Sequence, residues 1–206
     1  DPAIQELYRL TVGWSLEYFD TIYKRLNTHF DRLYMESEVF GPGEAIVREY
    51  LKSGLFKESD GAIIYEGGKR GLHDRVFINS EGFPTYEAKD LGLHRAHFAD
   101  YNPDLMIHVV GKEQTEYFKV VFKAIEEIWP EHAHKEFHLP GGFLQLKEGK
   151  MSSRKGNVVT GDALLDQIRD AVRDVMLATK RESGAGEKHV DEIVEKVSIA
   201  AVKYAI

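Results

Sequence analysis

Leu105-Met106-Ile107-His108-Val109-Val110, then Gly111, then a helix-periodic stretch from about Gln114 to Ile128, decides the fold. A near-continuous apolar run of this kind suits a parallel strand buried on both faces. Phe118, Val121, Phe122 and Ile125 recur at steps of three and four, the spacing of a helix that buries one stripe. Strand, glycine, helix is half of a doubly wound α/β unit, and such sheets bind ligands at the carboxyl ends of their strands. Gln114, just past Val110, stands on that rim. Its amide can bond a polar ligand without adding charge, and it can equally be an ordinary polar residue at a helix start. Lys112 and Glu113 are read as rim residues.

Downstream, Phe143-Leu144-Gln145-Leu146 reads as a strand that feeds the loop Gly149-Lys150-Met151-Ser152-Ser153-Arg154-Lys155-Gly156-Asn157. Three cations and two hydroxyls between glycines suit a polyanion. Lys150, Arg154 and Lys155 neutralise phosphate oxygens, while serines and backbone N–H groups donate to them. The competing reading is a solvated basic loop in an acidic protein. Thr160-Gly161-Asp162 caps a helix with the stripe Leu164, Leu165, Ile168, Val172, Val175 and Met176. Arg181 to Glu187 is a linker, and a last helix runs from about His189 to Tyr204. His132, His134 and His138 complete no metal motif and are read as surface or loop histidines, so no metal site is assigned.

Upstream, Ile4, Tyr8, Val12, Leu16, Phe19, Tyr23 and Leu26 mark an amphipathic helix whose aromatics, Trp14 included, are assigned to core packing. Arg32 to Glu36 reads as a strand. Gly41-Pro42-Gly43 stops it and opens a second helix, with Pro42 in its first turn and Ile46, Val47, Tyr50 and Leu51 inward. Ala62-Ile63-Ile64-Tyr65 and Arg75-Val76-Phe77-Ile78 form a hairpin across Gly67 to Gly71. A further helix runs from about Thr85 to Phe98. On it Tyr86 and Asp90 are four residues apart and share a face, where a carboxylate and a phenol can receive a guanidinium. An exposed ion pair with Lys89 or Arg95 is the alternative.

The formal net charge of −7, from 27 basic and 34 acidic residues, gives the bulk surface no attraction for nucleic acid, so an RNA contact needs a local basic patch. The absence of cysteine excludes disulfides and thiolate metal sites and suits a reducing compartment. No apolar run reaches the roughly 20 residues that span a bilayer, and a cytoplasmic, non-membrane protein is expected. The first residues, Asp1-Pro2-Ala3, lack an initiator methionine and point to a processed or excised chain.

Three of these stretches together resemble a family. Lys150-Met151-Ser152-Ser153-Arg154 is similar to the Lys-Met-Ser-Lys-Ser loop of class I aminoacyl-tRNA synthetases, with the arginyl-tRNA synthetases the nearest match. Gly82-Phe83-Pro84-Thr85-Tyr86-Glu87-Ala88-Lys89-Asp90 and Val109-Val110-Gly111-Lys112-Glu113-Gln114 fit the same family in the same order. The resemblance implies the second half of a Rossmann-like, doubly wound nucleotide-binding catalytic domain with an insertion over residues 1–160. Residues 161–206 would then form a helical segment leading into an anticodon-binding domain.

It also implies the chemistry. Arginine and ATP, accompanied by Mg2+, give arginyl-adenylate and pyrophosphate, and the arginyl group then passes to tRNA(Arg), releasing AMP. Tyr86, Asp90 and Gln114 would hold the substrate arginine, with Asp90 taking two parallel N–H···O bonds from its guanidinium. Lys150, Met151, Ser152 and Ser153 would bind ATP, and Lys150, Arg154 and Lys155 would stabilise charge on its phosphates. Which cation makes the main phosphate contact stays open, as does the oligomeric state.

Two departures qualify the match. Ser153 stands where many class I members have a second lysine, as is common in arginyl enzymes. The His-Ile-Gly-His-type motif of the first half of the fold is absent, and His94-Arg95-Ala96-His97 imitates only its outline. The alternatives are another class I synthetase or nucleotidyltransferase, and a non-catalytic binding module of the same fold. With half of the ATP site missing, these 206 residues alone should give no aminoacylation. Charging of tRNA above a no-protein blank would contradict that.

Overall fold

The computed structural model describes residues 1–141, 160–179 and 187–205. In chain order the elements are α1 (Pro2–Arg25), α2 (Glu36–Lys52), β1 (Lys57–Ser59), β2 (Ala62–Tyr65), β3 (Arg75–Ile78), α3 (Tyr86–Tyr101), β4 (Met106–Gly111), α4 (Thr115–Ile128), β5 (Glu136–Gly141), α5 (Gly161–Thr179) and α6 (Glu187–Ala205). Short 3-10 turns cover Gly67–Arg70, Lys112–Gln114 and Pro130–His132. The chain divides into two compact units, residues 32–142 and residues 1–31 with 143–206.

In the first unit, β1, β2 and β3 form an antiparallel sheet, with Lys57 opposite Ile64 and Ile64 opposite Val76. The expected hairpin is thus present, extended by a short strand that the charged Lys57-Glu58-Ser59 does not announce. The apolar side chains of β2 and β3 meet those of α2, α3 and α4 in one core around Val47, Phe56, Tyr65, Phe77, Leu91 and Val121. Beyond α3, β4 and β5 pair in parallel, Met106 opposite Glu136 through Gly111 opposite Gly141, with α4 as the crossover. The strand and helix are those that the run at Leu105 predicts, whereas the second strand, β5, lies where the histidines suggested surface or loop.

Three expectations are corrected in this unit. First, β4 is buried on one face only. Ile107 and Val109 are 50% and 69% exposed, because α4 covers one side of the two strands and no described element covers the other. Second, Arg32 to Glu36 is not a strand. Its polar groups are drawn to side chains: Tyr34 Oη donates to Asp100 at 2.7 Å, and Arg32 pairs with Glu38 and Asp100, both at 3.1 Å. Third, Gly41-Pro42-Gly43 does not start α2 but lies inside it.

Helix α2 survives its proline because of its glycines. Gly41 has no Cβ for the following proline ring to strike, so the helical conformation is allowed before Pro42. Gly43 and Gly92 let α2 and α3 approach backbone to backbone. A Cβ on Gly43 would sit 2.0 Å from the Ala88 carbonyl oxygen, and one on Gly92 2.3 Å from that of Val39. The pair therefore fixes how close α3 stands to the rest of the core.

The far half of α3 is tied to the parallel strands by a carboxylate between two imidazoles. Glu136, at the start of β5, accepts from His94 Nδ1 of α3 at 2.5 Å and from His108 Nε2 of β4. On its other side His94 Nε2 lies 2.8 Å from His132 Nδ1. Trp129 and Phe98 enclose His94, with ring centroids 4.7 and 4.4 Å away. Burial would raise the Glu136 pKa, but the bonds from His108 and His94 outweigh it and hold the carboxyl at about 2. His132, in the turn after α4 as the loop reading has it, and His138, on β5 rather than in a loop, are both half-buried. His132 belongs to this chain of rings, and His138 Nε2 lies 3.0 Å from the Val110 carbonyl oxygen. His134 is exposed, as expected.

In the second unit, Arg25 at the end of α1 joins Asp166 of α5 at 2.9 Å and Glu195 of α6 at 2.7 Å. Leu165, Val190, Val194 and Val202 supply its buried apolar side chains. Thr160 caps α5 as the sequence predicts, its hydroxyl accepting from Ala163 N at 3.4 Å. The assignment of α1 aromatics to a core fails. None of its residues is buried, and Trp14 is 63% exposed. Period alone marks one apolar face without saying that anything covers it.

Gly43→Ala tests the helix contact. In an open helix the change stabilises by about 1 kcal/mol. Here the Ala88 carbonyl blocks the methyl group, so overpacking should prevail with a net loss of about 2 kcal/mol, read from the urea midpoint. An unchanged or raised midpoint would refute the close approach. Glu136→Gln tests the buried carboxylate. Its ordinary pKa of 4.5 is lowered to about 2 in the fold. The charge therefore stabilises above pH 4.5, and this contribution is lost as pH falls from 4.5 towards 2. Melting curves across that window should be flatter for Glu136→Gln than for the parent, and parallel curves would contradict the assignment.

Candidate functional site

The rim at the end of β4 is built by local geometry. Gly111 closes the strand, and its missing Cβ leaves room for the Glu113 carboxylate, whose oxygens would lie 2.5 Å from such an atom. The turn Lys112–Gln114 then passes into α4, with Gln114 at the N-cap position and exposed. Tyr117, three residues on, lies on the first turn of the helix and shares the side of Gln114 by helical spacing.

Tyr117 connects this rim to α3. Its hydroxyl donates to Asp90 Oδ2 at 2.6 Å. The other side of the ring meets the Arg75 guanidinium of β3, 5.2 Å from the ring centroid. Arg75 Nη1 is in turn 3.1 Å from Glu87 Oε1, one turn before Asp90 on α3. Arg75 Nε is buried and has no hydrogen-bond partner among the described residues. Burial raises the Asp90 pKa, and the Tyr117 hydroxyl works against that by bonding the ionised form. Burial, with the charge on Asp90, raises the Tyr117 pKa, so its proton stays on the phenol as the donor.

The residues singled out in the sequence are therefore placed unequally. Asp90 is drawn to the first turn of α4, beside the Gln114 end of the rim. Tyr86 opens α3 and is 70% exposed, with the Lys89 ammonium 5.0 Å from its ring centroid. Lys89 itself pairs with Glu36 of α2 rather than with Asp90, which removes one partner from the exposed-ion-pair alternative. No hydrogen bond among the described residues joins Tyr86 to Asp90 or Gln114. Lys150, Met151, Ser152, Ser153, Arg154 and Lys155, with the preceding strand from Phe143, lie outside the described residues.

Sequence reasoning missed Tyr117, Arg75 and Glu87 as parts of one array. Tyr117 could have been found from its spacing to Gln114. Arg75 could not, because only the fold carries β3 to α4. His94 and His97, which imitate a catalytic motif in outline, serve packing. His94 is buried on Glu136, and the His97 ring stacks edge-on to Tyr34 at 4.6 Å. Among the described residues no cluster of three or more His, Asp or Glu could hold a metal ion. No described helix is long and apolar enough to cross a membrane.

Known proteins resemble the whole chain. The arginine–tRNA ligase of Bacteroides thetaiotaomicron is 31% identical over 207 residues, covering all of this chain and 35% of that protein. That of Treponema denticola is 33% identical over 199 residues, 96% of this chain and 33% of that protein. The chain thus spans about a third of the length of the curated relatives it matches. The crystal structure of arginyl-tRNA synthetase from Plasmodium falciparum superposes with a TM-score of 0.77 at 19% identity, over 99% of this chain and 34% of that one. Thermus thermophilus arginyl-tRNA synthetase gives 0.67 at 21%, over 99% and 42%. At those identities the two structures establish the fold: this mixed α/β arrangement is a portion of a Rossmann-like catalytic domain with helices attached. All residues from 1 to 206 match the family described as tRNA synthetases class I (R), catalytic domain, and the chain belongs to that family.

Proposed function

We propose that this chain forms part of the catalytic domain of an arginine–tRNA ligase, and that Asp90 is its receptor for the guanidinium of arginine. One observation carries the reading. A largely buried carboxylate, held by a phenol, is set against the first turn of the helix that follows a parallel strand. That is where open α/β sheets bind ligands, and a cation that is always charged matches a carboxylate whose ionised form the Tyr117 hydroxyl favours. Gln114 on the rim and Tyr86 at the start of α3 would supply further polar contacts to the amino acid.

ATP and Mg2+ enter as substrate. The arginine carboxylate attacks the α-phosphate, pyrophosphate leaves, and the arginyl group passes from the adenylate to the tRNA(Arg) terminus. By their sequence, Lys150, Arg154 and Lys155 would neutralise the developing phosphate charge, with Met151, Ser152 and Ser153 completing the loop around ATP. The fold contributes mainly by positioning, since bringing the two substrates into line is most of what this step requires. Residues 161–206 would lead towards an anticodon-binding domain, and the protein would act in the cytoplasm.

The test is arginine-dependent ATP–pyrophosphate exchange in the complete protein that carries these residues. Asp90→Asn keeps the shape and removes the charge. It should lower kcat/KM for arginine about thirtyfold, or ~2 kcal/mol, the scale of a lost charge-assisted pair. Lysine should not compete with arginine. Unchanged kcat/KM in the variant would take Asp90 out of the site, and exchange driven by lysine would point to a different synthetase.

A further inference from the structure

Among the described residues, the Asp90 carboxylate receives one hydrogen bond from the protein, and it comes from Tyr117. We propose that Tyr117 is a positioning residue for the arginine site: its hydroxyl pins Asp90 Oδ2 and leaves Oδ1 free for the substrate guanidinium. The inference rests on the arginine reading above and deepens it.

Geometry comes first. A free aspartate rotates about its χ2 torsion with little preference, so a guanidinium arriving at it must also order it. The 2.6 Å bond from α4 to α3 removes that freedom before substrate arrives. Tyr117 is itself restrained. Its ring lies beneath Arg75, and Arg75 is held by the buried Glu87 at 3.1 Å. Swinging the ring away would disturb a buried ion pair. The array Glu87–Arg75–Tyr117–Asp90 thus passes through β3, α3 and α4 and ends at Asp90 Oδ1, which has no protein donor among the described residues. Oδ2 keeps a second lone pair beside the Tyr117 bond, so the two parallel bonds implied by the resemblance can form, with Oδ1 given wholly to the guanidinium.

Charge supports the same role. Tyr117 faces Asp90 from α4, His108 from β4, Glu136 from β5 and Glu87 from its own helix. Burial, Glu87 and Glu136 favour the protonated acid, while the Tyr117 hydroxyl and His108 favour the carboxylate, the hydroxyl more strongly. Only the ionised form pairs with a guanidinium. Arginine affinity is therefore present above the Asp90 pKa and lost as pH falls through it. Removing the hydroxyl raises that pKa and moves the loss to higher pH.

Tyr117→Phe keeps the ring and deletes the donor. In the complete protein, the KM for arginine in pyrophosphate exchange should rise about tenfold near neutrality, the scale of one hydrogen bond to a charged group. The rise should grow as pH falls, because without the hydroxyl the carboxyl protonates at a higher pH than in the parent. The melting temperature should fall modestly, for the lost bond to a buried acceptor, and kcat should change little. An unchanged KM and pH profile would overturn the proposal. So would a lower melting temperature with an equal loss of activity at every pH, because that pattern marks a merely structural tyrosine. Asp90→Asn separates the two claims. If it leaves the arginine KM alone, the arginine reading itself fails. If it raises KM while Tyr117→Phe does not, only the role of Tyr117 falls.

Discussion

A buried negative charge must be matched or it will not stay buried, and Glu136 is where this fold meets that demand most sharply. Its carboxylate accepts from one histidine on α3 and another on β4, so a helix and two parallel strands converge on a single acid. Removing one partner from such a group is costly, because the remaining charge has no water to turn to. The bonds are directional as well as strong. They fix the far half of α3 against β4, while the glycine contact with α2 sets its depth. Asp90, one turn before His94 on the same helix, is thereby delivered to the end of the parallel strand.

The candidate site uses the same chemistry with one partner withheld. Glu136 has both oxygens filled by protein donors, and its role is structural. Asp90 has one oxygen filled by Tyr117 and the other without a protein donor among the described residues. The acids are close enough that Glu136 helps to raise the Asp90 pKa. A ligand carrying a permanent positive charge completes what the protein leaves unfinished, and a planar fork of N–H donors suits a carboxylate better than a single ammonium does. The second unit contributes an ordinary helical packing, with Arg25 bridging acids on two helices.

Much of this was legible in the sequence because local signals and the fold agree. The apolar run at Leu105, the glycine after it and the helix period that follows specify a strand and a helix, and β4 and α4 form them; the parallel partner β5, polar at Glu136 and His138, was not legible. Gln114 stands at the turn after β4, where the strand, glycine and helix period put it. What could not be read depended on contacts between distant segments. Gly-Pro-Gly is a breaker by composition, yet here two glycines admit the proline and the facing helix. His94 and His132 are 38 residues apart and meet only because η-type turns and strands fold the chain back between them. Arg75 and Tyr117 lie on different elements, so no spacing rule links them. The apolar stripe of α1 shows the opposite error, in which a strong period was read as burial.

The central claim is that an ionised carboxylate at position 90 recognises the charge of a guanidinium rather than its shape. Citrulline has nearly the shape of arginine with a neutral urea in place of the guanidinium. Calorimetric titration of both amino acids into the complete protein, with ATP present, therefore tests the claim most directly. Arginine should bind, and citrulline should bind at least about thirtyfold more weakly, the cost of an unmatched buried charge. Equal affinities would show that the site reads shape alone and would contradict the account.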